Sequence, residues 1–274
     1  MSGDIREYWY SRRSRRRIRA SQRSTLERVI DWALELAENP NAYVPVGAGN
    51  ERIATDRYVL WLGTGDDPVW NVAQRFRLRA EEIDEVRNEI HGHVRAKGRT
   101  ACSWEVGSSA TPVDLVDRLL ERGLVEDDEP LRVGMALSSP PSGLSEVEVR
   151  RAQTDDDRRI AARIAAAVYG GPYVEPPPPD PGTVTYLAYL DGTPVGRATG
   201  SFSDHGVTLF GAAVMPEARG RGSYRALVHA RWQDAVARGT PLAVTDAGSQ
   251  SRPILARMGF RELCTIRALI DHFE

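Results

Sequence analysis

The sequence predicts an α/β fold with a mixed sheet, arranged as two domains. An apolar run passes through a glycine-rich turn into an amphipathic helix over residues 207–236. Two alternating segments flank the pair Asp191-Gly192, which is typical of a β-hairpin. A plan of strand, turn, proline, helix and glycine occurs in residues 101–124 and again in residues 242–260, which indicates an internal repeat.

Composition narrows the class of protein. The chain has 274 residues, which is enough for two domains of ordinary size. It shows neither a long apolar stretch nor a secretory signal, so we expect a cytoplasmic protein without a membrane partner. Cys102 and Cys264 are too few for a disulfide framework and lack metal-ligand spacing, so we expect no metal site. A net charge of −2 gives no overall attraction to nucleic acid, and we expect no such partner.

The N-terminal half contains alternating helix and strand patterns. Helices are predicted over residues 24–38 and 81–95, strands over 58–62, 101–106 and 132–137, and a further helix with Pro112 at its first position. His91 and His93 are two residues apart and do not share a helical face, which argues against a metal pair. The basic cluster Arg12–Arg19 is either a solvated segment or a contact to a phosphate backbone.

A proline, serine and glycine segment separates the two halves. We place the domains at residues 1–137 and 145–274, with a linker at 138–144. The second domain is predicted to open with a strand at 146–150. Thr154 then caps a helix that runs to Val168. The proline-rich segment 175–180 is extended, either as a spacer or as a wall of the substrate site. The hairpin follows at 183–202, and then a strand at 207–214.

The turn Arg219-Gly-Arg-Gly222 joins that strand to the next helix. Gly220 and Gly222 allow the backbone to approach a ligand closely. Unpaired N–H groups of the first helical turn then face an anion, and the helix dipole favours its charge. The sequence therefore predicts a phosphate-binding turn.

The segment Arg219–Tyr224 resembles the Arg/Gln-x-x-Gly-x-Gly/Ala signature of the GNAT superfamily of acetyl-CoA-dependent N-acetyltransferases, with Tyr224 where Gly or Ala is usual. The order of elements over residues 145–270 also resembles that family. The resemblance implies a GNAT fold for the C-terminal domain and acetyl-CoA as co-substrate. It further implies that coenzyme A is held by Ala213, Val214, Arg219, Gly220, Arg221, Gly222, Ser223 and Tyr224.

The repeat extends this resemblance to the N-terminal half. Residues 1–137 contain no counterpart of the glycine turn, so this half resembles the degenerate, non-catalytic half of tandem GNAT proteins. Chance recurrence of a common α/β plan is the alternative.

The implied reaction is direct acetyl transfer to an amine of a small molecule or peptide. Asp246 is our candidate base, although it could instead cap the following turn, and Ser249 or Ser251 could donate to the leaving thiolate. Leu255 stands where relatives often carry a tyrosine that acts as the acid. The alternative is a non-catalytic acyl-CoA-binding regulatory module. The sequence leaves the acceptor and a homodimer open.

Overall fold

The computed structural model describes residues 30–176, 178, 180 and 182–274. The chain divides into two compact units, Met1–Asp31 and Trp32–Glu274. Every described helix and strand lies in the second unit. The cluster Arg12–Arg19 and the first part of the helix predicted at 24–38 lie outside the described residues, whereas Trp32–Glu38 is helical as predicted.

The predicted mixed sheet is confirmed, and eleven strands of the described chain form it as one sheet that runs through both halves. The strands are β1 (Glu51–Ala54), β2 (Val59–Leu62), β3 (Asn71–Gln74), β4 (Ala101–Gly107), β5 (Val125–Leu137), β6 (Glu148–Arg151), β7 (Thr183–Leu190), β8 (Thr193–Ser203), β9 (Gly206–Val214), β10 (Ala243–Ala247) and β11 (Arg261–His272). The helices are α1 (Trp32–Glu38), α2 (Ile83–Arg95), α3 (Leu115–Glu121), α4 (Asp155–Tyr169), α5 (Ser223–Ala237) and α6 (Arg252–Arg257).

The two halves of the sheet follow the same path. Three antiparallel strands lead through a helix to a parallel strand, then through a second helix to a last strand; this describes β1–β5 and again β7–β11. The last strands are exchanged. In the order β1-β2-β3-β4-β11-β5-β10-β9-β8-β7-β6, strand β11 lies between β4 and β5, and β5 lies between β11 and β10. Each half therefore completes the other, and the boundary at 138–144 stays a prediction.

Local predictions in the C-terminal half are confirmed. Thr154 caps α4, because its side chain accepts a hydrogen bond from the N–H of Asp157. The hairpin turns at Asp191-Gly192 between β7 and β8. In the other half, the helix predicted from Pro112 begins three residues later, at Leu115.

Helices cover both faces of the sheet. Tyr186 and Ala188 of β7 pack in the core beneath α5, whereas Leu187 and Tyr189 pack against α4. Because alternate residues of a strand point to opposite faces, α4 and α5 lie on opposite sides of the sheet. Among the described helices, none combines the length and the apolar character needed to cross a bilayer.

Candidate functional site

Strands β9 and β10 diverge toward their carboxyl ends. Their parallel pairing comprises only Val207 with Ala243 and Thr208 with Val244. The pairing of β8 with β9 shifts between Arg197 and Thr199, where β9 has one more residue than β8. This β-bulge is centred on Gly211, whose φ is +51°. The bulge turns β9 away from β10 and leaves a gap in the sheet.

A cavity of about 1060 Å³ opens at this gap. The end of β9, the junction into α5, the end of α4, helix α6 and one residue of β5 contribute to its wall. Seven of the eight residues predicted for the cofactor line it: Ala213, Val214, Arg219, Gly220, Gly222, Ser223 and Tyr224. Arg221 lies outside the cavity, with Nη2 3.5 Å from Asp191 Oδ2. Their role in binding stays a prediction.

The junction into α5 depends on two glycines. After a single 3₁₀ turn at Pro216–Ala218, Gly220 and Gly222 adopt left-handed φ values of 76° and 93°. A Cβ at Gly222 would lie 2.5 Å from Ser145 Oγ, so a side chain there would displace Ser145 as well as strain the backbone. Helix α5 starts directly after it, and no side chain caps this end.

Several donors at the start of α5 lie outside the helical hydrogen-bond ladder. The N–H of Ala226 makes a 3.0 Å hydrogen bond to the carbonyl of Gly222, so the three N–H groups before it precede the helical ladder. The hydroxyl of Ser223 is buried and has no hydrogen-bond partner among the described residues. A buried polar group without a partner is costly, and an anionic oxygen in the cavity would satisfy it. Arg219, Arg225 and Arg257 also line the cavity. The residues present therefore fit the phosphates of coenzyme A.

Two tyrosines line the cavity. Tyr224 follows Ser223 on α5, and burial raises its pKa. Tyr169 ends α4 on the other side of the sheet, and its hydroxyl donates a 3.1 Å hydrogen bond to the carbonyl of Ala212 in the bulge. Sequence reasoning missed Tyr169, because only the packing of α4 brings it to β9.

A carboxylate from the N-terminal half also lines the cavity. Glu129 lies where β5 loops away from β11, since the pairing jumps from Leu131–Arg267 to Glu126–Leu269. Its Oε1 accepts a 2.6 Å hydrogen bond from the N–H of Ser249. This bond holds the pKa of Glu129 below its usual range. Glu129 was not predicted, since it sits in an acidic run that looks like a solvated loop.

The two predicted catalytic residues do not line the cavity. Ser249 makes the bond to Glu129, while its neighbours Gly248 and Gln250 face the cavity. Asp246 lies at the level of Gly134 in β5, and its Oδ2 is 3.4 Å from Arg132 Nη1. The catalytic roles of Asp246 and Ser249 stay predictions.

Arg132 joins Asp246 to carboxylates of the other half. Its Nη1 lies 2.9 Å from Glu105, and its Nη2 lies 2.7 Å from Asp127. Burial, reinforced by the charge of Asp246, raises the pKa of Glu105 to about 7.

Leu255, at the position where relatives often carry a tyrosine, is buried in the core. In the described part of the chain, no three His, Cys, Asp or Glu side chains form a group that could hold a metal.

Comparisons with known proteins point to one family. The sequence model of the acetyltransferase (GNAT) family matches residues 155–260. No match was found among curated proteins.

Solved structures with the same fold cover most of the chain. A GCN5-related N-acetyltransferase from Kribbella flavida superimposes with a TM-score of 0.65 at 19% identity, covering 88% of this chain and 93% of its own. A tandem GNAT protein from the clavulanic acid biosynthesis pathway gives 0.54 at 13% identity, with 90% and 96% covered. A GCN5-related N-acetyltransferase from Sphaerobacter thermophilus gives 0.54 at 15% identity, with 79% and 80% covered. The predicted GNAT fold is confirmed.

Proposed function

We propose that the chain is an N-acetyltransferase, because residues 155–260 match the sequence model of the acetyltransferase (GNAT) family. It transfers the acetyl group of acetyl-CoA to an amine of a small molecule or peptide, directly and within one ternary complex. The family match favours transfer over a non-catalytic acyl-CoA-binding module.

The uncapped start of α5 is the observation that carries this proposal. It presents unpaired N–H groups, the partnerless Ser223 hydroxyl and three arginines to one cavity. We assign the coenzyme A pyrophosphate to this junction, since anions bind where helix N–H groups converge. Arg221, outside the cavity, then contributes charge at its rim.

The bulged end of β9 is assigned to the reactive part of the co-substrate, which supplies the acetyl group as an activated thioester. In this proposal the main chain at Ala213 and Val214 holds the pantetheine arm. A backbone N–H there polarises the thioester carbonyl, because a fixed donor stabilises developing negative charge without reorganising.

Asp246 is assigned to proton removal from the amine, through a water molecule. Ser249 or Ser251 keeps the role of hydroxyl donor beside the leaving sulfur, and of these two only Ser251 is among the residues that line the cavity. Both assignments rest on the place of these residues at and after the end of β10, beside the gap.

We also propose that the chain is a tandem protein whose N-terminal half is a GNAT-like domain without a cofactor site. The repeated strand path supports this. In this proposal the N-terminal half walls the acceptor side of the cavity and places Glu129 there.

Thiol release tests the proposed reaction. Purified protein is incubated with acetyl-CoA and a panel of amines, and free thiol is measured against time. Labelled acetyl-CoA added to cell extract, followed by mass spectrometry, then identifies the acceptor. We expect thiol release that depends on both the protein and an amine. Tight acetyl-CoA binding without transfer to any amine, in the panel or in the extract, would contradict the proposed reaction.

A further inference from the structure

Glu129 is the only carboxylate among the described residues that line the cavity. Two of its neighbours in the acidic run are held by arginines: Glu126 pairs with Arg267, and Asp127 pairs with Arg132 at 2.7 Å. Glu129 differs from them, because no described arginine or lysine lies within ion-pair distance of its carboxylate. Its negative charge therefore faces the cavity without an ion-pair partner among the described residues.

The turn after the parallel strand holds a carboxylate in both halves of the sheet, but in different ways. After β4, Glu38 is 2% exposed and accepts hydrogen bonds from the hydroxyl of Ser108 and from the N–H and hydroxyl of Ser109. After β10, Glu129 is exposed, and its hydrogen bonds come from Ser249 alone. A carboxylate has about four lone-pair sites. Glu38 is thus a saturated part of the core, whereas Glu129 keeps acceptor capacity for a ligand.

Glu129 lies on the side of the gap that faces the end of β9. Strand β5 runs antiparallel to β10, and the last pair between them is Val133 with Ala247. Beyond this pair β5 continues past the carboxyl end of β10, which brings Glu129 beside the turn after β10. A Cβ on Gly248 would overlap the carboxylate of Glu129, so the two are in close contact. The thioester is assigned to the other side of the same gap, at the end of β9.

From this arrangement we propose that Glu129 binds a second, cationic group of the acceptor, so that the acceptor is an amine with a further positive charge. The inference rests on the proposed function and deepens it by naming the class of acceptor. One amine, in its neutral form, attacks the thioester, while the second group stays protonated and donates hydrogen bonds to Glu129. An alkylammonium group keeps its charge at neutral pH because its ordinary pKa is about 10. Hydrogen bonds between two charged groups are the strong ones.

Glu129 serves in this proposal as an anchor for the acceptor and not as the base. The N–H of Ser249 holds the pKa of Glu129 below its usual range, so the carboxylate is ionised at neutral pH. A carboxylate with a low pKa attracts a cation but takes up a proton poorly. The three arginines that line the cavity are assigned to the phosphates of the co-substrate, which leaves Glu129 to the acceptor.

Matched pairs of amines test this inference without turnover. The protein is saturated with coenzyme A, which has no acetyl group to transfer, and α,ω-diamines of increasing length are titrated into it by calorimetry. Each diamine is compared with the monoamine of the same chain length, which lacks the second charge. We expect the best diamine to bind about tenfold more tightly than its monoamine.

Two variants assign this preference to one residue. Glu129→Gln keeps the length of the side chain and an acceptor for the N–H of Ser249, but it removes the charge, so it should bind diamine and monoamine with equal affinity. Asp128→Asn removes the same charge from the next residue, which does not line the cavity, and it should keep the wild-type preference. Circular dichroism and the affinity for coenzyme A check that both variants are folded.

Turnover distinguishes an anchor from a base. In the thiol-release assay, Glu129→Gln should raise KM for the diamine about tenfold, leave kcat within about twofold and leave KM for the monoamine unchanged. An equal fall in kcat for both amines would identify Glu129 as a base and overturn the anchor. A wild type without a diamine preference, or a preference retained in Glu129→Gln, would also overturn it and leave the proposed function intact. Failure of the wild type to bind acetyl-CoA would overturn both.

Discussion

The two halves of the sheet contain equivalent junctions, one from β3 into α2 and one from β9 into α5, and these junctions differ in their hydrogen bonding. The α2 junction is closed: the N–H of Leu78 bonds to Thr111, the N–H of Thr111 bonds back to Phe76, and Glu82 accepts from the N–H of Arg79. The α5 junction carries two left-handed glycines and no cap.

The space between the two parallel strands of each half, β3 and β4 in one and β9 and β10 in the other, differs in the same way. Beside β4, Phe76 stacks on Trp104 with ring centroids 4.8 Å apart, and both rings are fully buried. Beside β10, the corresponding space is a cavity lined by Ala213 and Val214. One strand path therefore supports either a packed core or an open cavity, and the residues between strand and helix decide which.

The packed space occupied by Phe76 should contribute more to the stability of the fold than the residues around the open cavity. Phe76→Ala removes a fully buried ring and should lower the free energy of unfolding by about 3–5 kcal/mol. Denaturant unfolding followed by circular dichroism measures it, with the exposed Val113→Ala as control. A loss below about 1 kcal/mol would mean that the N-terminal gap is not tightly packed.

The free energy of unfolding should depend on pH through Glu105, which lies where the two halves of the sheet meet. Its pKa is about 7, above the ordinary 4.5, so the folded state binds more protons than the unfolded state between these values. This stabilisation is complete below the unfolded value and is lost as pH rises toward 7. Its loss should be on the order of 1–3 kcal/mol.

Glu105→Gln should remove this decline between pH 4.5 and 7. Urea unfolding at several pH values measures it, and the exposed Glu146→Gln should keep the wild-type slope. Identical pH dependence in Glu105→Gln and the wild type would show that Glu105 titrates normally.

An arginine near the start of a helix should contribute to acetyl-CoA binding at the open α5 junction and not at the closed α2 junction. Arg219→Gln should weaken acetyl-CoA binding about tenfold and flatten its salt dependence, because a cation is lost beside the phosphates. Arg79→Gln, at the closed junction, should leave affinity unchanged. Calorimetric titration at two salt concentrations measures both, and equal losses would contradict the difference between the junctions.

Much of this comparison could be predicted from sequence, because it depends on local chemistry. Three features each specify the local backbone within a few residues. They are the two glycines before a helix, Asp191-Gly192 between alternating segments, and Thr154 before an acidic turn. The absence of a glycine turn from the first half was visible in the same way.

Long-range pairing could not be predicted. The exchange of β5 and β11 depends on packing between segments about 130 residues apart, and no local pattern encodes it. Glu129 and Tyr169 reach the cavity only through that packing.

Direct titration with acetyl-CoA tests most directly whether the open junction is the cofactor site. Gly222→Glu forces a side chain onto a φ of 93°, toward Ser145, and adds negative charge where the phosphates are assigned. Gly92→Glu makes the same change on α2, where a Cβ has nothing within 4 Å.

We expect the wild type and Gly92→Glu to bind acetyl-CoA with equal affinity. Gly222→Glu should lose about a hundredfold or more, equivalent to about 2.8 kcal/mol. Equal binding by Gly222→Glu and Gly92→Glu, or no binding by the wild type, would contradict the assignment of coenzyme A to this junction.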